Sequence, residues 1–228
     1  MLDKSVQIPL SRSTEPLNGV LTIPDNTIGL VIFAHGSGSG ASSTRSQFIS
    51  RAFKENNLYT LLIDLLTKEE QDADNRAQTI ACKVPGVTFI KFNVELLTER
   101  LDSVTQWVQC HSETKNLHIA YFGASTGAAA ALYAAASLRD LKAVVCRGGR
   151  TDLVDEKILE DIRCPILFIV GEKDKKVMEY NKTTLRGLIN ASYKKLEIVK
   201  GATHLFEEQG KLEQVSELAI DWFRRYLI

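Results

Sequence analysis

The chain has 228 residues, a length at which one α/β domain can bury most of its surface. Its 28 lysine and arginine residues balance 28 aspartate and glutamate residues, which argues against nucleic acid, an anionic membrane or a polyanion as the partner. We therefore expect a single domain over residues 1–228, monomeric or homodimeric, that binds a neutral or modestly charged small molecule.

Sequence features also disfavour export, a membrane span and a metal or redox site. The first residues, MLDKSVQIPL, lack the basic and apolar parts of a secretory leader, so we expect a cytoplasmic protein. The weakly polar stretch 117–138 is broken by Gly123, Ser125 and Gly127, which favours a strand, a turn and a helix. Four cysteines form no zinc or dithiol pattern, so we interpret them as reduced, mostly structural thiols: Cys82, Cys110, Cys146 and Cys164.

Short apolar runs alternate with longer amphipathic runs along the chain. This pattern predicts a mostly parallel sheet of about eight strands flanked by helices, with an antiparallel hairpin formed by the first two strands. We interpret the charged run 68–76, KEEQDADNR, as a solvated loop or helix end. The segment 65–92 is either a lid over the site or a surface excursion. Strands are predicted at 6–10, 19–23, 29–34, 59–63, 117–122, 143–146, 166–170 and 195–199, and helices over about 43–56, 93–110, 126–137, 176–190 and 211–227.

A GxSxG pattern at residues 123–127 lies between a predicted strand, LHIAYF, and an alanine-rich predicted helix. A serine on so sharp a turn exposes its hydroxyl only if its neighbours two positions away carry no side chain. Gly123 and Gly127 meet that requirement. The pattern in this context predicts Ser125 as a nucleophile.

A serine nucleophile needs an imidazole base and a carboxylate that orients the imidazole. His204 follows the strand at 195–199, and Asp174 follows the strand at 166–170, which is the chain order serine, acid, histidine. We therefore predict Ser125, Asp174 and His204 as the catalytic residues. Glu172 is the reserve candidate for the acid, and Asp152 and Asp155, which follow the preceding strand, rank lower. The other histidines fit the base less well: we expect His35 to brace its loop, His118 to lie inside a strand and His111 to be solvated.

The loop HGSGSG at 35–40 follows a predicted strand and has neither a P-loop ending nor dinucleotide-binding spacing. Its glycines allow backbone N–H groups to face a substrate carbonyl, so we assign an oxyanion hole to the amides of Ser37 and Thr126, with Gly36 near the substrate. Arg147 and Arg150 could bind a substrate carboxylate or phosphate. A salt bridge to Asp152 or Asp155 that shapes the loop is the favoured alternative.

The whole chain resembles the dienelactone hydrolase-like branch of the α/β-hydrolases, and in particular small serine-containing proteins that occur alone or fused to phosphoribosyltransferase domains. The resemblance rests on FAHGSGSG at 33–40, LLIDLLTKEE at 61–70, FGASTGAAAAL at 122–132, CRGGR at 146–150 and GATHLFEE at 201–208. It implies an α/β-hydrolase fold and hydrolysis of an ester or lactone through an acyl-enzyme, with no metal and no organic cofactor. The interval between Arg147 and Cys164 is too short for a large cap domain. Dienelactone-cleaving members use cysteine as the nucleophile, so Ser125 favours a general carboxylic-ester hydrolase.

The sequence is also compatible with two other functions. The same residues could serve an acyltransferase or perhydrolase, in which the acyl group passes to an acceptor other than water or to peroxide. The chain could also be a noncatalytic binding or regulatory protein that retains the hydrolase fold.

Overall fold

A computed structural model of the chain describes residues 2–11, 13–23, 27, 29–36, 40, 43–81 and 87–227. Its eight strands form one sheet. The strands are β1 (Leu2–Leu10), β2 (Ser13–Ile23), β3 (Gly29–Ala34), β4 (Leu58–Ile63), β5 (Ile119–Ala124), β6 (Ala143–Arg147), β7 (Ile166–Gly171) and β8 (Lys194–Val199).

The strand order is β1-β2-β4-β3-β5-β6-β7-β8. β2 is antiparallel to both β1 and β4, and every other neighbouring pair is parallel. The prediction of a mostly parallel sheet that begins with an antiparallel hairpin is confirmed.

Helices cover both faces of this sheet. Buried side chains of α3 and α4 pack on one face and those of α1 and α6 on the other, which agrees with the predicted flanking helices. Within the described residues no cap domain is inserted. The helices are α1 (Thr44–Glu55), α2 (Lys68–Ala81), α3 (Val94–Cys110), α4 (Thr126–Ser137), α5 (Lys175–Gly187) and α6 (Lys211–Tyr226), and 3₁₀ turns span Ile90–Phe92, Thr151–Leu153 and Glu156–Asp161.

Strands β3, β5, β6 and β7 are buried at every position because both of their faces are covered, and most of their residues are apolar. In β3, Leu30 and Ile32 pack toward α3 and α4, whereas Val31 and Phe33 pack toward α1 and α6. The parallel central strands end at one edge of the sheet, and the predicted site residues follow these ends.

The charged run 68–76 is not a loop or a helix end. It lies within α2, which the sequence prediction missed. The Thr67 N–H donates to Glu70 Oε2 (2.8 Å), and the Glu70 N–H donates to Thr67 Oγ1 (3.3 Å), which is a capping box. Asp74 is buried and accepts bonds from the N–H groups of Ile90 (2.7 Å) and Lys91 (2.8 Å), which anchors this helix to the next turn.

A buried hydroxyl pair joins α3 to β5, and it generates a stability prediction. Tyr121 Oη and Thr105 Oγ1 lie 2.7 Å apart, and Thr105 Oγ1 donates to the Leu101 carbonyl (2.8 Å), so Tyr121 is the donor in the pair. Thr105→Val should lower the free energy of unfolding by about 1–3 kcal/mol because it leaves the Tyr121 hydroxyl without an acceptor. Adding Tyr121→Phe should recover part of this loss in urea unfolding, whereas additive losses would contradict the pairing.

Candidate active site

Ser125 connects β5 to α4 in a strained backbone conformation, with φ 51° and ψ −119°. Its N–H donates to the Arg147 carbonyl (3.1 Å), and its carbonyl accepts from the N–H groups of Ala128 (3.1 Å) and Arg150 (3.0 Å). Its side chain does not cap the helix that it precedes. A non-glycine residue keeps such a conformation only where its surroundings impose it, and these three bonds do so.

The two glycines of the GxSxG pattern are required by close packing. A Cβ on Gly123 would lie 2.6 Å from the Ala128 Cα, and one on Gly127 would collide with the Ala34 carbonyl. Any larger residue would therefore push helix α4 away from the sheet. This packing is the physical reason for the spacing seen in the sequence.

Asp174 and His204 are hydrogen-bonded to each other. His204 Nδ1 donates to Asp174 Oδ2 over 2.5 Å, since an ionised carboxylate can only accept. Asp174 occupies the N-cap position of α5 but makes no capping bond with its side chain. Nε2 is then the ring nitrogen through which His204 can act on another group.

Glu172, the reserve acid, has a different partner. Its Oε2 accepts the N–H of Gly201 (2.8 Å) and so shapes the turn that precedes His204. Of the two acids weighed after β7, Asp174 is the one bonded to the histidine.

Ser125 and His204 both lie beside the end of β6. Arg147 accepts the Ser125 N–H, and the neighbouring Gly148 lies against the imidazole, where an added Cβ would be 3.2 Å from His204 Cε1. Gly148 has φ +54° and its N–H donates to the Ile169 carbonyl (2.8 Å). The serine and the histidine thus border one short, well-anchored segment.

The start of the loop after β3 also lies beside Ser125. A Cβ on Gly36 would lie 2.8 Å from the Ser125 Cβ, so this loop packs directly on the serine. Thr126 is buried at the first position of α4, beside Ser125. Ser37, the other residue assigned to the oxyanion hole, lies outside the described residues.

His35 braces this loop, as predicted. Its Nδ1 donates to the Gly36 carbonyl (3.0 Å), and its Nε2 accepts the Leu65 N–H (2.9 Å). Burial lowers the pKa of His35, which favours the neutral ring that can make both bonds.

The remaining histidines lie away from Ser125. His118 is exposed and precedes β5, and its Nδ1 donates to the Leu227 carbonyl (3.1 Å); its predicted position inside a strand is therefore wrong. The apolar run suggested an earlier start, but β5 begins at Ile119. His111 follows α3 as predicted and stacks on Trp107.

The two arginines near the site differ. Arg150 donates from Nε and Nη2 to the two carboxylate oxygens of Asp152 (2.7 and 2.8 Å), so the loop-shaping salt bridge is confirmed for this residue. Asp155 instead accepts the Lys157 N–H at the start of a 3₁₀ turn. Arg147 is only 6% exposed and makes no salt bridge with either acid among the described residues.

The described residues contain neither a metal-binding cluster of side chains nor a membrane-spanning helix. No group of three or more histidine, cysteine, aspartate or glutamate side chains there could hold a metal ion. None of the helices described has the length and apolar character needed to cross a membrane.

Comparison with known sequences shows the family to which the chain belongs. The model of the dienelactone hydrolase family matches residues 17–227. The chain belongs to the dienelactone hydrolase family.

A solved dienelactone hydrolase from Anabaena variabilis ATCC 29413 is 39% identical to this family member, with a TM-score of 0.90 over 100% of this chain and 99% of that one. This match confirms the α/β-hydrolase fold. Est1E from Butyrivibrio proteoclasticus shares the fold at 16% identity and a TM-score of 0.75, over 97% of this chain and 98% of that one.

Two Mycobacterium tuberculosis proteins, of strains CDC 1551 and H37Rv, are named as phosphoribosyl transferases. Each is 45% identical to this dienelactone hydrolase family member over 226 residues, which is 99% of this chain and 47% of the relative. The chain therefore spans about half the length of these curated relatives.

Gly148 offers a test of the site geometry in this family member. Gly148→Ala should displace the His204 ring from Asp174, because the new methyl group would press on the imidazole. It should also cost about 1–2 kcal/mol of unfolding free energy from its positive φ. The matched control is Gly210→Ala, at φ +74° with no described atom within 4 Å of the added Cβ, which should show the backbone cost alone. Histidine ring signals in NMR spectra should shift in the first variant only; equal spectra would refute the contact.

Proposed function

We propose that this chain is a serine hydrolase that cleaves a carboxylic ester or lactone through an acyl-enzyme on Ser125. His204 is the proposed general base and Asp174 the residue that orients it. The observation that supports this proposal most strongly is the 2.5 Å bond between Asp174 and His204 beside the segment that also holds Ser125. Family and fold support a hydrolase, and the 39% identical Anabaena variabilis structure is itself named a dienelactone hydrolase.

In the proposed reaction, Ser125 Oγ bonds to the carbonyl carbon while His204 Nε2 takes the hydroxyl proton. The tetrahedral intermediate then breaks its bond to the alcohol oxygen, which leaves with the proton from His204. Water attacks the acyl-enzyme and gives a proton to His204, and Ser125 regains its proton as the acid is released. Asp174 stabilises the positively charged imidazole during both steps.

The developing oxyanion is assigned to the backbone amides of Ser37 and Thr126. Thr126 is at the N-terminus of α4, whose dipole favours negative charge there. Loss of one such donor typically costs about 3 kcal/mol of transition-state stabilisation. The close approach of Gly36 to Ser125, which the lack of a side chain permits, supports this assignment.

A fluorophosphonate probe tests the nucleophile without knowledge of the substrate. We expect the intact mass of the wild-type protein to show one adduct, which should be absent in Ser125→Ala. Labelling should slow greatly in His204→Ala and in Asp174→Asn, because the serine then lacks a correctly oriented base. Ser137→Ala, at the other end of α4, is the matched control and should label normally.

Other outcomes would indicate a different nucleophile or a different function. An adduct that persists in Ser125→Ala would place the nucleophile at another residue. A folded wild-type protein without an adduct would instead favour a noncatalytic binding or regulatory role. A separate competition measurement tests the acyltransferase or perhydrolase alternative. If added alcohol or peroxide takes more of the acyl group than water does, that alternative is favoured.

A further inference from the structure

The two edge strands of the sheet, β1 and β8, differ in how open they are to a further strand. β1 contains Pro9, and its register with β2 shifts between Ile8 and Leu10. Prolines and irregularities of this kind commonly prevent an edge strand from pairing with another chain. β8 contains no proline and keeps an unbroken register with β7. Its outer side therefore has the regular geometry that a further strand requires.

Every second residue of β8 directs its backbone groups away from the sheet. The Tyr193 carbonyl accepts the Ile166 N–H (2.9 Å), and the Val199 carbonyl accepts the Glu172 N–H (3.0 Å), so both face the neighbouring chain. Along a parallel strand, residues that bond to one neighbour alternate with residues that face the opposite way. Three residues of β8 therefore face outward with both N–H and C=O: Lys194, Leu196 and Ile198.

The two lysines of β8 do not shield this edge. Lysines protect an edge strand when they hold their charge out beyond it. Here Lys194 Nζ donates to the Leu188 carbonyl (2.9 Å), and Lys195 Nζ forms a salt bridge with Glu197 Oε1 (2.5 Å). Both charges are thus held close to their own chain. Exposed apolar side chains lie at the same edge: Ile189 (63% exposed), Tyr193 (45%) and Ile198 (37%).

We propose that β8 pairs antiparallel with β8 of a second copy of this chain, so that the two sheets join across a two-fold axis at Leu196. Such an axis makes an isologous interface, in which each copy presents the same patch to the other. Outward-facing residues must lie opposite one another, because only they can exchange ladder bonds. With the axis at Leu196, Lys194 lies opposite Ile198 of the partner subunit. This inference does not depend on the proposed function.

Charge complementarity selects this register. An axis at Lys195 would place two lysines opposite each other, and an axis at Glu197 would do the same with two glutamates; like charges directly opposite are destabilising. Axes nearer to either end of β8 would pair fewer residues. An axis at Leu196 places Lys195 opposite Glu197 of the partner subunit in a non-hydrogen-bonded pair, where side chains approach most closely. Both side chains lie on the α6 face, as does Val199, so the two symmetric pairs would form a ring of four alternating charges.

The test is the molar mass of the full chain in solution, measured by light scattering and by sedimentation over a dilution series. The wild type should have twice the 25.4 kDa of one chain. Lys195→Glu and Glu197→Lys should each raise the dimer dissociation constant by about tenfold or more, because each turns both attractive pairs into repulsive ones. Both substitutions in one chain should restore the dimer. The matched control, Lys4→Glu, breaks a salt bridge to Glu113 (2.8 Å) beside the opposite edge and should leave the mass unchanged.

A mixture of the two single variants separates pairing between chains from the salt bridge within one chain. Each variant alone has like charges at positions 195 and 197, but in the mixture opposite charges face each other across the axis, so a dimer with one copy of each should form. Both side chains are at the surface, 52% and 29% exposed, so the variants should remain folded by circular dichroism. A monomeric wild type, a dimer that persists in either single variant, or a mixture that stays monomeric would each overturn the proposed interface.

Discussion

The strained backbone of Ser125 is the constraint on which the rest of the site depends. With φ 51° and ψ −119°, the residue turns the chain from β5 into α4 within one position. Such a conformation costs about 1–3 kcal/mol, and backbone bonds to Arg147, Ala128 and Arg150 hold it. The close approach of α4 to the sheet also accounts for the small residues around the serine. The parts of the molecule that fix this turn are therefore the parts that build the site.

The sheet supplies the remaining groups from neighbouring strand ends. The loop after β3 carries His35 and Gly36, the turn after β6 carries Gly148, and the loops after β7 and β8 carry Asp174 and His204. Parallel strands end at a common edge, so residues distant in sequence meet there without long excursions. At this edge Asp174 has a histidine partner, whereas buried nitrogens of Arg45 and Arg147 have no hydrogen-bond acceptor among the residues that the structure describes.

Much of the fold could be predicted because the central strands are buried on both faces and read as continuous apolar runs. The pairing of Asp174 with His204 followed from their positions after strands, since chain order in this fold restricts the choices. Helix α2 was missed because its charged residues resemble a loop, although Thr67 and Glu70 have the spacing of a capping box. The contrast between Arg147 and Arg150 could not be read from CRGGR, because burial depends on which face of the sheet each side chain meets.

Trapping the acyl-enzyme is the most direct test of whether Ser125 is the nucleophile. Rapid mixing with 4-nitrophenyl acetate, followed by acid quenching and peptide mass spectrometry, would detect both the released phenol and the acylated residue. If Ser125 is the nucleophile, we expect a burst of about one phenol per active site and an acetyl group on the peptide that contains Ser125. Turnover with the acetyl group on another residue, or turnover with no covalent intermediate under conditions that slow deacylation, would contradict it.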